Sequence, residues 1–319
     1  MIYPWQHTQW QQLIQRKDRM PHALLLLGIR GIGKLHFAEC FVRTQLCQTG
    51  KDACDCHSCR LITGRTHPNV LWITPEKPGV AIKVDQIRDV AEFIHQTSLQ
   101  GEYRFVLIHP AASMNINAAN ALLKTLEEPA PASMLILIAE QASQMPATIV
   151  SRCQHLHFPR PQTDLALKWL SEKSESGTTA DLVLRLVHGA PLAALQFMQD
   201  DLLSSRMNFL QSLEALARGE MSPLKMADDF REMEMQLLLD ILFAVVMDLL
   251  RLQVSGHDSS IINQDFLPQL KALQQRMSSE KITRYMSFLL IMRGQQQEGI
   301  NLNKQLMAEN LFIRWKECA

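Results

Sequence analysis

Short apolar runs alternate with longer helical patterns along the first half of the chain, from about residue 23 to residue 158. The runs have the length of strands and are bounded by glycine, proline or polar residues. Alternation of strands with helices predicts a mostly parallel sheet with helices on both faces. The predicted strands are residues 24–27, 70–73, 105–108, 135–138 and 155–158, and the predicted helices are 34–46, 84–95 and 117–127.

Beyond Pro159-Arg160-Pro161 the strand-like runs disappear and helical periodicity takes over. Residues 164–171 and 181–188 predict a small helical group that ends at Gly189-Ala190-Pro191, where glycine and proline favour a helix stop. From about Ser204 onward, long helical patterns rich in Leu, Met and Gln predict a helical bundle. We therefore predict an α/β domain at residues 1–160, a small helical domain at 161–203 and a larger helical domain at 204–319.

Composition and charge narrow the class of protein. The length of 319 residues allows two or three domains, and 47% hydrophobic with 20% charged residues excludes a disordered chain. The 32 basic and 32 acidic residues cancel, so no global field would hold the chain on nucleic acid or an anionic membrane. The longest apolar stretch, residues 237–250, is shorter than the ~20 residues of a membrane span. Seven cysteines and the lack of a secretory signal predict a reducing cytoplasm.

The segment Gly28-Ile29-Arg30-Gly31-Ile32-Gly33-Lys34 lies between the first predicted strand and the first long helix, where a phosphate-binding loop belongs. The glycines Gly28, Gly31 and Gly33 would let backbone N–H groups face an anion, and Lys34 would reach the terminal phosphates. The next residue is Leu35, where the motif requires the Ser or Thr hydroxyl that holds Mg²⁺.

A second requirement for phosphoryl transfer is also unmet. The predicted strand 105–108 runs into His109-Pro110-Ala111-Ala112, without the acidic pair that holds Mg²⁺ and orients water. We therefore expect no independent ATP hydrolysis. Binding of ATP or ADP stays open, because the backbone amides and Lys34 remain. The alternative is that the loop serves only as a tight strand-to-helix turn.

Residues 120–129 (NALLKTLEEP) and 148–153 (TIVSRC) closely resemble the signature of bacterial clamp-loader subunits of the AAA+ class. The resemblance implies a RecA-like parallel-sheet domain, a small helical lid and a C-terminal helical collar that joins subunits in a ring. It also implies a trans-acting arginine finger at Arg152, with Ser151 beside it in the same motif. The guanidinium of such a finger offers fixed donors to γ-phosphate oxygens. The alternative is that Arg152 is an ordinary arginine bonded to a carboxylate.

Two further departures from the ATP-hydrolysing relatives follow from the same resemblance. Where those relatives place a Thr that senses the γ-phosphate, this chain has Ala139-Glu140, and where they place a sensing arginine it has Leu192. Together with Leu35 and His109, these changes alter four positions that read or hydrolyse nucleotide. The resemblance therefore implies a subunit that assists a neighbour's hydrolysis.

Four cysteines, Cys47, Cys54, Cys56 and Cys59, lie between the first long helix and the next strand. Zn²⁺ favours four soft ligands in a tetrahedron, and clamp-loader relatives carry a structural zinc module at this place. Cys54 and Cys56 have only one residue between them, so their side chains would diverge in an extended segment, and His57 is a substitute ligand. The alternative is a set of free, partly buried thiols.

The resemblance implies a non-hydrolysing clamp-loader subunit of the DNA polymerase III holoenzyme, whose activity is DNA-directed nucleotidyl transfer. The expected partners are the gamma/tau ATPase subunits and the delta subunit, with the sliding clamp and primed DNA reached through the complex. One alternative is an active gamma-type ATPase in which Glu127 or Glu140 contacts the metal. Another is a zinc-dependent nucleic-acid-binding module on a P-loop scaffold.

Overall fold

The protein is described by a computed structural model that covers residues 1–15, 20–50, 54–77, 79–95, 103–173, 177–200, 202–254, 258, 261–297 and 303–319. These residues form two compact units. The first contains residues 1–169 and 190–193, and the second contains residues 170–189 and 194–319. The predicted cysteine module, at about 47–59, includes residues 51–53, which lie outside the described residues.

A five-stranded parallel sheet with the strand order β2-β3-β4-β1-β5 forms the centre of the first unit. Every residue of β1, β3 and β4 is buried, because a parallel sheet carries helices on both faces. All five predicted strands are confirmed, with ends that differ by at most two residues. The strands are β1 (Ala23–Leu27), β2 (Val70–Ile73), β3 (Arg104–Ile108), β4 (Ser133–Ala139) and β5 (Gln154–His157).

The helices of the first unit follow the predicted pattern, and α2 and α4 have the predicted bounds. The helix α4 turns Ile87, Val90 and Ile94 into the core, as its apolar spacing predicts. The helices α1, α3 and α6, each of eight residues or fewer, were not predicted. The helices are α1 (His7–Ile14), α2 (Lys34–Leu46), α3 (His57–Thr63), α4 (Val84–His95), α5 (Ile116–Glu127), α6 (Ala147–Val150) and α7 (Thr163–Ser171), which continues into the second unit.

The second unit is helical throughout its described residues, which confirms the predicted change of pattern after residue 161. Within the described chain, no helix has both the length and the apolar composition needed to cross a membrane. The division into domains at residues 160 and 203 stays a prediction. The helices are α8 (Gly177–Leu186), α9 (Pro191–Gln199), α10 (Leu202–Ala217), α11 (Pro223–Asp229), α12 (Met235–Val254), α13 (Leu267–Arg276), α14 (Ser279–Gln297) and α15 (Lys304–Cys318).

A buried polar network ties α10 and α12 to the segment before α13. The Asp248 carboxylate is fully buried and accepts hydrogen bonds from the backbone N–H groups of Ile262 and Asn263, at 3.0 and 2.8 Å. The amide of Asn263 donates to the same carboxylate at 2.7 Å, and its oxygen accepts from Arg206 at 2.5 Å. Arg206 also donates to Asp265 at 2.6 Å. The network thus supplies a partner for each buried charge, which burial otherwise makes costly.

Replacing Asp248 by alanine is expected to lower the free energy of unfolding by about 3–5 kcal/mol, because it removes the acceptor of the buried Ile262 and Asn263 donors and the ion pair with Arg251. Urea denaturation followed by far-UV circular dichroism measures the loss. The control is Glu280→Ala, which removes an exposed ion pair with Arg284 and should cost less than about 1 kcal/mol. Equal losses in the two variants would contradict the structural role of Asp248.

Candidate functional site

The glycine-rich loop lies where the sequence predicts it, between the carboxyl end of β1 and the first turn of α2. Gly31 and Gly33 have φ angles of +80° and +85°, a region that side chains strongly disfavour. A Cβ atom on Gly33 would lie 2.6 Å from the ring of Tyr3, and one on Gly31 would lie 2.7 Å from Ala193 Cβ. Both glycines are therefore required by the backbone and by close neighbours, independently of any ligand.

Lys34 is bound within its own loop. Its Nζ donates to the carbonyl oxygens of Gly28 and Ile29 at 2.5 and 2.8 Å, and the side chain is only 7% exposed. Burial lowers the pKa of Lys34 to about 8, and the nearby charge of Glu140 opposes this shift. The ammonium is therefore still mainly protonated at neutral pH, and its hydrogen bonds are made to the loop.

The N-terminal segment packs against the same loop, in an arrangement that the sequence analysis missed. Trp5 Nε1 and Gln6 Nε2 each donate to the carbonyl of Ile32 at 2.9 Å. The rings of Tyr3 and Trp5 stack with centroids 5.1 Å apart, and Trp169 meets both edge-on at 5.6 and 5.3 Å. The only sequence signal was the pair of aromatic residues near the start of the chain. The loop is thus held by internal packing.

Leu192, at the position where the resemblance places a sensing arginine, contributes a backbone contact. Its N–H donates to the carbonyl of Gly31 at 3.0 Å. A leucine side chain has no donor for phosphate oxygens. The contact therefore adds to the internal hydrogen bonding of the loop, and Leu192 offers no side-chain group that could read a nucleotide.

His109 follows β3, where an ATPase would carry its acidic pair. Burial lowers the pKa of His109 to about 4, and the charges of Lys34, Arg30 and Arg65 act in the same direction. Its ring is therefore neutral at pH 7. In the part of the chain that the structure describes, the four cysteines form the one group of three or more His, Cys, Asp or Glu residues with ligand atoms close together. Glu140, one carboxylate of the gamma-type alternative, lies near Lys34 but belongs to no such group among those residues.

The predicted arginine finger lies just after α6 and contacts the end of α5. Arg152 donates to the carbonyl of Thr148 at 3.0 Å and forms an ion pair with Glu127 at 2.7 Å. The Arg152 side chain is 37% exposed and the Glu127 side chain 51%. Ser151 Oγ lies 3.5 Å from the guanidinium and donates to the same Thr148 carbonyl at 3.2 Å. The structure thus joins the two signature motifs, and it contains the carboxylate contact that an ordinary surface arginine would make.

Strand register separates Arg152 from the glycine-rich loop of its own chain. β1 and β5 are parallel, with Leu24 beside Gln154 and Leu27 beside His157. Arg152 precedes β5, so it belongs to the amino end of the sheet, whereas the loop follows β1 at the carboxyl end. At about 3.3 Å per residue, the segment from Gln154 to Phe158 spans roughly 13 Å, and Arg152 lies in the turn before it. Arg152 and the glycine-rich loop of its own chain therefore lie at opposite ends of the sheet.

The four cysteine side chains meet at the junction of α2 and α3. Their Sγ atoms all lie within 4.8 Å of one another, so the short Cys54–Cys56 spacing does not separate them, and His57 is not part of the group. Tetrahedral Zn²⁺ with bonds of about 2.3 Å places sulfurs roughly 3.8 Å apart. The four thiols therefore fit a closed zinc site after a small contraction.

The surroundings of the cluster affect its thiols unequally. A hydrogen bond from Thr49 lowers the pKa of Cys47 to about 6, whereas burial raises the pKa of Cys59 to about 12. Thr49 Oγ1 lies 2.9 Å from Cys54 Sγ and 3.5 Å from Cys47 Sγ, and Arg43 donates to the Cys54 carbonyl. Because Zn²⁺ binds thiolates, metal binding at this cluster would release the protons that the thiols still carry.

Comparison with known proteins identifies related chains over nearly the whole length. A family described as DNA polymerase III, delta subunit, matches residues 5–162, and the family of its C-terminal region matches residues 200–317. DNA polymerase III subunit delta' of Pseudomonas aeruginosa is 33% identical over 319 aligned residues, which cover 98% of this chain and 97% of that protein. Subunit delta' of Escherichia coli is 29% identical, over 98% and 94% of the two chains. Subunit tau of Bacillus subtilis is 32% identical over 48% of this chain and 27% of its own length.

His109 gives the first unit a predictable sensitivity to acid. The folded chain favours the neutral ring, with a pKa of about 4 against 6.5 ordinarily. The unfolded chain therefore binds the proton first, and stability falls as the pH drops from 6.5 to 4. Allowing for solvent access, we expect His109 to contribute about 1–2 kcal/mol to this loss. Urea denaturation at pH 7.5 and 4.5 measures the loss in the free energy of unfolding between the two pH values. This loss should be smaller in His109→Gln than in the unmodified chain, and the same as in the unmodified chain in the exposed control His7→Gln. Identical losses in all three chains would contradict the assignment.

Proposed function

This chain belongs to the DNA polymerase III delta' subunit family, and from that premise we propose that it is a clamp-loader subunit that hydrolyses no ATP itself. Its role would be to supply Arg152 to the ATP site of an adjacent ATPase subunit. The observation that carries the proposal is the separation of Arg152 from its own loop by the register of β1 and β5. An exposed guanidinium at the opposite end of the sheet can serve a neighbour's nucleotide.

The ion pair with Glu127 is compatible with this role on energetic grounds. Exposed ion pairs contribute about 0–1 kcal/mol, and both side chains here are more than one-third exposed. A γ-phosphate offers several charged oxygens to an arginine. Bidentate charge-assisted bonds of this kind are stronger than hydrogen bonds between neutral groups. A bound nucleotide of an adjacent subunit could therefore displace Glu127. Until then, Glu127 and the Thr148 carbonyl would hold the guanidinium in one orientation.

We further propose that the glycine-rich loop serves as a strand-to-helix turn and carries no ATP or ADP. Lys34 is bound to the loop carbonyls, Tyr3 packs on Gly33, and Leu35 and His109 replace groups that hold Mg²⁺. The chain therefore lacks a free lysine for the phosphates as well as the groups that would hold Mg²⁺. Such a subunit would keep one conformation while ATP binds to the adjacent ATPase subunit and is released from it.

The partners follow from the same family. The gamma/tau ATPase and delta subunits would form the ring with this chain, whose residues 204–319 would contribute to the collar. The sliding clamp and primed DNA would be reached through that complex, in the cytoplasm. Nucleotidyl transfer would belong to the polymerase of the holoenzyme.

The cysteine cluster would hold structural Zn²⁺ in this assembly. Four thiolate ligands complete a tetrahedron and leave no position for a substrate or a reactive water. Cys47, Cys54, Cys56 and Cys59 would therefore secure the fold between α2 and β2. A nucleic-acid-binding role for this module has no support from the net charge of zero.

The arginine finger is tested by reconstituting the clamp loader from this chain with gamma and delta subunits and measuring hydrolysis of ATP in a single turnover on primed DNA. Arg152→Ala should slow the adjacent site by about 10³-fold or more, so the rapid phase loses the amplitude of one site. Arg152→Lys should fail to restore it, because lysine lacks the planar fork.

The control for this experiment is Arg88→Ala, which also removes a surface arginine from an ion pair, here with Asp85. It should hydrolyse ATP like the unmodified complex. Gel filtration establishes that all variants assemble. A full rapid phase in an assembled Arg152→Ala complex would refute the finger.

Nucleotide binding by this chain is tested separately by titrating it with a fluorescent ATP analogue and Mg²⁺. We expect no saturable binding up to about 1 mM, which corresponds to less than about 4 kcal/mol of binding free energy. The isolated gamma subunit is the positive control. Saturation in the micromolar range that is lost in Lys34→Ala would show that the loop holds nucleotide.

A further inference from the structure

A chain of buried hydrogen bonds runs from the cysteine cluster towards the central sheet. Ser58, His67 and Asn69 are 5%, 7% and 8% exposed. Ser58 Oγ lies 2.8 Å from the Leu46 carbonyl and 3.0 Å from His67 Nε2. The Asn69 backbone nitrogen lies 3.0 Å from His67 Nδ1. We call this set the Ser58–His67 relay, and the proposed metal role of the cluster does not by itself account for it.

The donor and the acceptor can be assigned for each hydrogen bond of the relay. A backbone N–H can only donate, so His67 Nδ1 accepts from Asn69 and the neutral ring carries its proton on Nε2. Nε2–H then donates to Ser58 Oγ, whose own hydroxyl hydrogen is directed to the Leu46 carbonyl. The direction of donation is therefore the same along the whole relay, which fixes the orientation of the imidazole ring.

The relay connects the two sides of the cluster. Leu46 is the last residue of α2 and precedes Cys47, whereas Ser58 lies in the first turn of α3 and precedes Cys59. One hydroxyl thus ties together the two segments that carry these thiols. At the far end, the Asn69 carbonyl accepts from the N–H of Phe105 in β3, at 2.9 Å. The relay thereby connects the cysteine cluster to the central sheet by hydrogen bonds.

We propose that Ser58 and His67 are positioning residues for the metal site, and that their hydrogen bonds hold Cys47 and Cys59 in the relative placement that Zn²⁺ requires. The inference rests on the proposed structural zinc. It goes beyond that proposal because neither residue is a metal ligand. Groups outside the ligand set that orient ligands commonly change metal affinity by about 10–100-fold.

A purely structural hydroxyl would behave differently. Ser58 lies among buried apolar neighbours, with Cys59 at 1% and Ile62 at 4% exposure. Loss of a buried hydroxyl leaves His67 and Leu46 without that partner and costs stability with or without metal. A positioning role predicts in addition a loss of zinc affinity that exceeds the loss of stability of the metal-free chain. Metal affinity and metal-free stability must therefore be measured together.

The test uses the full chain, stripped of metal under reducing conditions and titrated with Zn²⁺ against a chromophoric chelator. Ser58→Ala should bind Zn²⁺ about 10–100-fold more weakly, whereas Ser58→Thr, which keeps the hydroxyl, should recover most of the affinity. Co²⁺ reports the ligand set through its thiolate charge-transfer band, which should weaken or broaden in Ser58→Ala. The matched control is Thr44→Ala, which removes another hydroxyl-to-carbonyl bond from α2, outside the relay.

The possible results distinguish a failure of the relay proposal from a failure of the proposed zinc site. If the unmodified chain binds neither Zn²⁺ nor Co²⁺ through thiolates, the proposed zinc site fails, and the relay loses its role with it. If the unmodified chain binds zinc and Ser58→Ala binds it equally well, the relay alone is overturned. If Ser58→Ala does not fold, His67→Gln is measured in its place, because it keeps the Ser58–Leu46 bond. Unchanged zinc affinity in His67→Gln would then overturn the proposal.

Discussion

The parallel pairing of β1 with β4 and β5 is the constraint on which the candidate sites depend. β1 and β4 are buried strands, β1 bonds to a neighbour on each side, and β5 is the edge strand beside β1. A slip of β1 against β4 would break the core. The residues directly after β1, β3 and β4 lie at the carboxyl end of the sheet, and the residues directly before β5 lie at its amino end. The glycine-rich loop and Arg152 are therefore kept apart by the same hydrogen bonds that stabilise the sheet.

The loop end of the sheet is positively charged and internally bonded. Lys34 donates to two loop carbonyls, and His109 is kept neutral by burial beside cationic groups. A magnesium nucleotide needs carboxylate ligands and free donors at this place. The opposite end presents a partly exposed guanidinium whose only charged partner is a weakly bound surface carboxylate, within the described residues. The two ends thus differ in chemistry as well as position, which suits a subunit that acts on its neighbour.

The periodicity of apolar residues was sufficient to predict the sheet and the long helices. β2, α2 and α4 have the predicted bounds because their apolar runs end at clear polar or turn residues. The short helices α1, α3 and α6 were not predicted. The cysteine spacing left the ligand set ambiguous, because an extended backbone would separate Cys54 from Cys56. In the structure all four thiols come together at the junction of α2 and α3.

By itself, the sequence determined which chemical groups are present: a loop with Lys34 but no metal-binding hydroxyl, a strand without an acidic pair, an arginine in a signature motif and four clustered cysteines. These are local properties of residue type and spacing. Only the tertiary structure decided which distant groups they meet, since Glu127 reaches Arg152 from α5 and Tyr3 reaches the glycine-rich loop from the N-terminal segment. The N-terminal aromatic residues reach the loop across 27 residues of chain, as Trp5 and Ile32 show. Such contacts depend on the packing of the folded chain, which a local sequence pattern does not encode.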